Sequence, residues 1–170
     1  MRLTIVILGK VDPILVDYVK KGLRAKFKIP VEIGNDIRAP EGSFNRFRQQ
    51  YESNIILNDL EKNFDDKVLA ITNNDIYTAG LNYVFGLAKL KGKAAIVSTF
   101  RLNPEMYNSP ANIELLKERL LKESMHEFGH VLGMQHCKEQ GCIMNASNNI
   151  RDIDNKSLDF CHMCQIELNR

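Results

Sequence analysis

Three of the four histidines in this chain of 170 residues stand at fixed intervals, as His126-Glu127-Phe128-Gly129-His130 followed by His136, and nothing else in the sequence restricts the architecture so strongly. Histidines four apart on a helix share one face, a turn apart, so both imidazoles aim at one point. The flanking residues support a helix: Ser109-Pro110 offers an N-cap and a first-turn proline, and residues 111–132 carry no interruption. On a wheel of about 100° per residue, Leu120, Leu121, Met125, Phe128, Val131 and Leu132 share one arc, while Arg119, Glu123, His126 and His130 share another. If that helix ran on, His136 would lie about 9 Å beyond His130 along the axis, too far to join the other two. The chain must bend, and Gly133 sits where a left-handed helix end would be tolerated.

Three neutral imidazoles leave one of the four positions of a zinc ion open to water, which separates a catalytic site from a closed structural one. Zinc lowers the pKa of such a water, and Glu127, next to a ligand, is placed to take its proton and later deliver it to a leaving amine. The five-residue match alone occurs by accident in unrelated proteins. Gly133 and His136 make the accident hard to sustain, because three of four histidines then fall on ligand spacings.

The cysteines form two pairs, Cys137-x4-Cys142 and Cys161-x2-Cys164, with none left over. That is the layout of a structural zinc site with four thiolate ligands, so two zinc ions per chain are expected. Two other readings stay open: Cys161 to Cys164 as a redox C-x-x-C, and His162 in place of one thiol. Cys137 directly follows His136, so the backbone ties the two sites together.

The remainder reads as an α/β protein. Leu3–Leu8 is a continuous apolar strand, residues 12–26 an amphipathic helix opened by Asp12-Pro13, and residues 30–33 a second strand. Strand, helix and strand in that order predict a right-handed parallel crossover. Residues 35–42 read as loop, 49–63 as a helix and 67–72 as a further strand. Residues 81–90 and 94–102 flank Lys91-Gly92-Lys93 as a hairpin, which predicts an antiparallel strand at the sheet edge, open to an added peptide strand. After Gly133 the chain is irregular until a short helix near Asp154. Residues 1–133 thus form an N-terminal α/β part and 134–170 a small C-terminal part of one integrated domain.

Bulk properties exclude several classes. A net charge of +2, with 23 basic residues dispersed among 21 acidic ones, gives no stripe for nucleic acid. No run is long enough to span a membrane. Cysteines without a secretory signal point to a reducing compartment, the cytoplasm. The expected partner is a peptide or protein substrate met by a monomer.

The string from His126 to His136, followed by Met144, resembles the metzincin signature with its Met-turn. In that clan the methionine forms a hydrophobic base under the metal without binding it, which implies that role for Met144. Cys137, Cys142 and the Cys161/Cys164 pair are similar to one branch, the archaemetzincins. So are Ile71-Thr72, Asp75, Gly80-Leu81-Asn82, Phe85-Gly86-Leu87-Ala88, Ser98-Thr99 and Arg101-Leu102. The resemblance covers most of the chain. It implies a compact metzincin-like domain with a mixed, mostly parallel twisted sheet, an antiparallel edge strand, a long active-site helix and a zinc-clipped C-terminal part. The implied activity is a zinc metallopeptidase of narrow or aminopeptidase-like specificity. Ala146 stands two residues after Met144, where some metzincins carry a tyrosine ligand, so no tyrosine switch is expected. Three-histidine endoribonucleases of ribosomal RNA maturation share similar spacings but lack the glutamate. A non-catalytic zinc-stabilised binding module remains the other alternative.

Overall fold

A strand points successive side chains to opposite faces, so an unbroken apolar run is stable only where both faces are covered. The computed structural model, which describes residues 1–169, meets that condition for the central strands. In chain order the elements are β1 (Leu3–Leu8), α1 (Pro13–Phe27), β2 (Val31–Ile33), β3 (Phe44–Asn45), β4 (Gln50–Glu52), α2 (Ser53–Asn63), β5 (Lys67–Thr72), β6 (Ile76–Tyr77), β7 (Gly86–Ala88), β8 (Ala94–Ser98), α3 (Ile113–Val131), α4 (Ile150–Asn155) and α5 (His162–Leu168). The main sheet has the order β2-β1-β5-β8-β7. Its first four strands are parallel, and β7 runs antiparallel to β8 at the edge.

Alternation along the strands divides the interior in two. Leu3, Ile5, Leu69, Ile71, Ala95 and Val97 face α1 and α3. Val6, Leu8, Val68, Ala70, Ala94 and Ile96 face α2. Each fully buried Leu, Ile or Val contributes roughly 1.5–3 kcal/mol, so this two-sided burial makes the sheet the rigid part of the molecule. Phe128, fully buried in α3, meets the edge of Phe27 with ring centroids 4.8 Å apart. The fold is thus the expected α/β class with a mixed, mostly parallel sheet. Among the described residues no helix is long and apolar enough to cross a membrane.

Three local expectations need correction. Residues 49–63 are not one helix: the Glu52 carboxylate accepts from the backbone N–H groups of Asn54 and Ile55 and caps α2 there, leaving Gln50–Glu52 extended. That strand belongs to a second sheet, β3-β4-β6, which periodicity did not reveal. The long helix starts at Ile113 rather than 111, because the Asn112 side chain takes up the N–H of Leu115 and outcompetes Ser109 as the cap. The one terminal helix expected near Asp154 is two helices, α4 ending there and α5 following Cys161.

Candidate metal centre and cleft

The bend after α3 is a Schellman motif. Gly133, at φ +98°, donates to the His130 carbonyl at 2.9 Å, and Met134 donates to the Gly129 carbonyl at 3.0 Å. This turn reverses the chain within one residue of the helix end and brings His136 back over His126 and His130. The ring centroids of the three histidines lie 4.6, 4.8 and 5.3 Å apart. One ligating atom from each lies within 4.8 Å of the others.

Two of the rings are oriented by main-chain oxygens. His126 Nδ1 donates to the Ile143 carbonyl at 2.9 Å, and His130 Nδ1 donates to the Met134 carbonyl at 2.7 Å. With Nδ1 carrying the proton on both, the two Nε2 atoms face each other across 3.0 Å as bare lone pairs. Such a pair repels unless a cation lies between them. Burial also lowers the pKa of all three imidazoles, that of His126 furthest, with further depression from Lys156, so they stay neutral as metal ligands must. For a Zn–N bond of about 2.0–2.1 Å, tetrahedral geometry places ligand nitrogens about 3.3 Å apart, close to what the rings offer. The donor set fits zinc.

Glu127 points into the same space. Burial raises its pKa well above the usual carboxylate value, and the neighbouring Glu123 raises it further. Its side chain lies against Gly86 of the edge strand, where an added Cβ would come within 2.7 Å of Glu127 Cγ. Behind His126, Lys156 is 3% exposed and its Nζ stands 3.3 Å from both Glu123 Oε1 and His126 Nδ1. The shorter carbonyl contact already uses the Nδ1 proton, so the ammonium belongs to Glu123. Burial pushes the Glu123 pKa up, and Lys156 opposes that shift.

The centre floors a cleft of about 820 Å³ between the strand leading through β7 and residues 146–148. Met144 is fully buried beneath it, and its sulfur packs where a Cβ on Gly129 would be 2.5 Å away. Ala146 lines the cleft in the position where a tyrosine was not expected.

The four thiols also meet. Their Sγ atoms lie within 4.8 Å of one another, with Cys137 and Cys161 at 3.7 Å. Two corners of a tetrahedron with bonds of about 2.3 Å are about 3.8 Å apart, whereas a disulfide needs about 2.05 Å. Burial pushes the Cys137 and Cys164 thiols up, while the backbone N–H of Cys164 lowers Cys161. His162 opens α5 beside the quartet and is not among the clustered ligands. The adjacency of His136 and Cys137 is reinforced by a 2.9 Å bond from the Cys137 N–H to the Met144 carbonyl, which links the bend, the thiols and the methionine.

Four residues that shape this region had no role assigned from the sequence. Gly129 and Gly86 admit the methionine and the glutamate, Lys156 pairs with Glu123, and Tyr83 lines the cleft. Their partner Glu123 carried a local signal, its place on the histidine arc of the helix.

Comparison with known proteins gives a consistent set. Residues 7–170 match the model of peptidase family M54. Archaemetzincin of Methanocaldococcus jannaschii is 42% identical over 164 residues, covering 96% of this chain and 90% of the relative. That of Pyrococcus abyssi is 41% identical over 155 residues, covering 88% and 82%. A zinc-dependent peptidase from Methanocorpusculum labreanum superposes with a TM-score of 0.89 at 31% identity, covering 98% of this chain and 100% of that one. Archaemetzincin from Archaeoglobus fulgidus, solved with malonate, gives 0.85 at 35% identity, covering 98% and 99%.

Proposed function

The chain belongs to peptidase family M54, the archaemetzincins, and is a metallopeptidase; we propose that its hydrolytic centre is His126, His130 and His136 with Glu127, and that Cys137, Cys142, Cys161 and Cys164 hold a second, structural zinc. The observation that carries the reading is the pair of bare Nε2 lone pairs 3.0 Å apart beside a buried carboxylate.

His126, His130 and His136 would hold a zinc ion, which would supply Lewis acidity toward a substrate carbonyl and a water. The protein's own groups do the rest. Glu127 accepts the proton of the water that attacks the carbonyl carbon. Its raised pKa suits it to keep that proton until the C–N bond breaks, when it passes to the departing amine. His126 and His130 are held in the ligating tautomer by the Ile143 and Met134 carbonyls, so no reorientation is needed on metal uptake. Met144 fills the floor with apolar surface and excludes water from below. The edge strand β7 offers an extended peptide a row of backbone partners beside Glu127.

The test is Glu127→Gln. It should keep both zinc ions and lower kcat by about 10²–10⁴-fold on a susceptible peptide. Equal turnover in the two proteins would remove Glu127 as the base. Absence of cleavage in the unsubstituted, zinc-loaded protein across a peptide library would favour the non-catalytic binding module instead.

A further inference from the structure

The cleft, whose lining runs from Leu81 to Leu90 along one bank, is bridged at Tyr83. The Tyr83 hydroxyl reaches from one bank to the other and donates to the Asn148 carbonyl at 3.3 Å, and both residues line the cleft. Each bank is held from behind. The Tyr83 ring meets the edge of Phe85, with centroids 5.3 Å apart, and the Arg101 guanidinium lies 4.2 Å from its centroid. Arg101 is itself fixed by two 2.7 Å bonds to Asp75. Just upstream, Arg48 donates to the carbonyls of Leu81 and Asn82 at 2.8 and 2.9 Å, and Gln50 donates to Asn82 at 3.0 Å. Across the cleft, the Asn148 N–H donates to Asp152 at 2.8 Å, within the hydrogen bonds that open α4.

A ring fixed by Phe85 just before β7, by an anchored cation and by the far bank is a crossbar. Glu127 stands abreast of Gly86, three residues past Tyr83, and an extended chain spans at most about 3.6 Å per residue. No more than about 10 Å of cleft therefore separates the base from the crossbar. We propose that Tyr83 is a specificity-determining residue that closes one end of the cleft and confines hydrolysis to bonds within about three residues of a substrate terminus. The inference rests on the hydrolytic reading above and narrows its substrate class to short peptides and free chain ends. The interior of a long or folded chain cannot thread past the ring.

The experiment compares one peptide in linear form and cyclised head to tail, so that the cyclic form has no end to offer. The zinc-loaded protein should cut only the linear form, releasing fragments of about three residues or fewer whose masses report the terminus. Tyr83→Ala should open the cyclic peptide at least about tenfold faster than the unsubstituted protein does. Tyr83→Phe, which keeps the ring packed against Phe85 and Arg101, should fall between them and serves if the alanine variant does not fold. Equal cutting of linear and cyclic forms by the unsubstituted protein, or an unchanged end restriction in Tyr83→Ala, would overturn the proposal. Binding of the same two peptides to zinc-loaded Glu127→Gln judges the crossbar apart from chemistry. Tighter binding of the linear form, lost when Tyr83→Ala is added, supports it, and equal binding overturns it even where hydrolysis fails.

Discussion

The imidazole cluster and the thiol cluster sit one residue apart in the chain, yet they are built by opposite means. Two of the three imidazoles project from the C-terminal part of a helix that is buried on all sides from Arg119 to Gly129, and they are locked by carbonyls before any ion arrives. The thiols come from turns and a helix start, with Cys142 and Cys164 buried at the margin of the main core and Cys137 and Cys161 packed against it. On the proposed reading one site is held by a regular helix and its carbonyl partners, whereas the other relies on its ion to keep four loop-borne thiols together. Residues 137–169 carry little regular structure beyond two helices of six and seven residues. Helices that short are not stable alone, so a zinc clip would contribute folding free energy there beside the core contacts.

The sharpest way to break this contrast is to remove one ligand from each cluster. Cys161→Ser should lose one of two zinc equivalents by native mass measurement and several kcal/mol of stability in denaturant. His136→Ala should lose the other equivalent but cost less than about 1 kcal/mol, because the ring is exposed and the helix end is held by backbone bonds. Similar losses in both variants would erase the distinction between preformed and assembled sites.

A smaller effect tests preformation directly. Gly86→Ala places a methyl 2.7 Å from Glu127 Cγ and must shift the carboxylate or the edge strand. A displacement of about 1 Å at a reacting group costs up to about 100-fold, so kcat should fall by about that factor with zinc content unchanged. Unaltered kcat would show that Glu127 has slack.

The smallest effect expected is on pH dependence. All three imidazoles are depressed below 6.5 by burial, so as pH falls the unfolded chain takes up protons before the folded one. The metal-free protein should keep its thermal midpoint above pH 6.5 and lose it progressively below, until the folded rings also protonate. Glu123 and Glu127, whose pKa values burial raises, take up protons in the folded state first and oppose this trend, so the measurement is made in the Glu123→Gln/Glu127→Gln double variant. There a flat midpoint from about pH 7 to 5 would mean that the rings are not held neutral by the fold.

The sheet and the histidine geometry were legible because both are written in short local patterns. Unbroken apolar runs marked Leu3–Leu8 and Lys67–Thr72 as buried strands, and the four-residue interval put His126 and His130 on one face. The bend was legible at Gly133 because a left-handed helix end has a strong residue preference. Features made by distant partners were not. The strands β3 and β6 have two residues each, too few for any period, and exist through pairing with β4. The Lys156–Glu123 pair spans 33 positions and the Tyr83–Asn148 contact 65. Nothing local to Lys156 distinguishes it from the solvated lysines of the surface.

The carbonyls that orient His126 and His130 have a further consequence. A side-chain partner can be deleted by one substitution, but the oxygens of Ile143 and Met134 remain whatever residue occupies those positions. Only a change that moves the main chain can remove them. The proposed hydrolytic centre is thereby insulated from drift in the residues nearest to it, and its weak points lie in the glycines and thiols that set the path of the backbone.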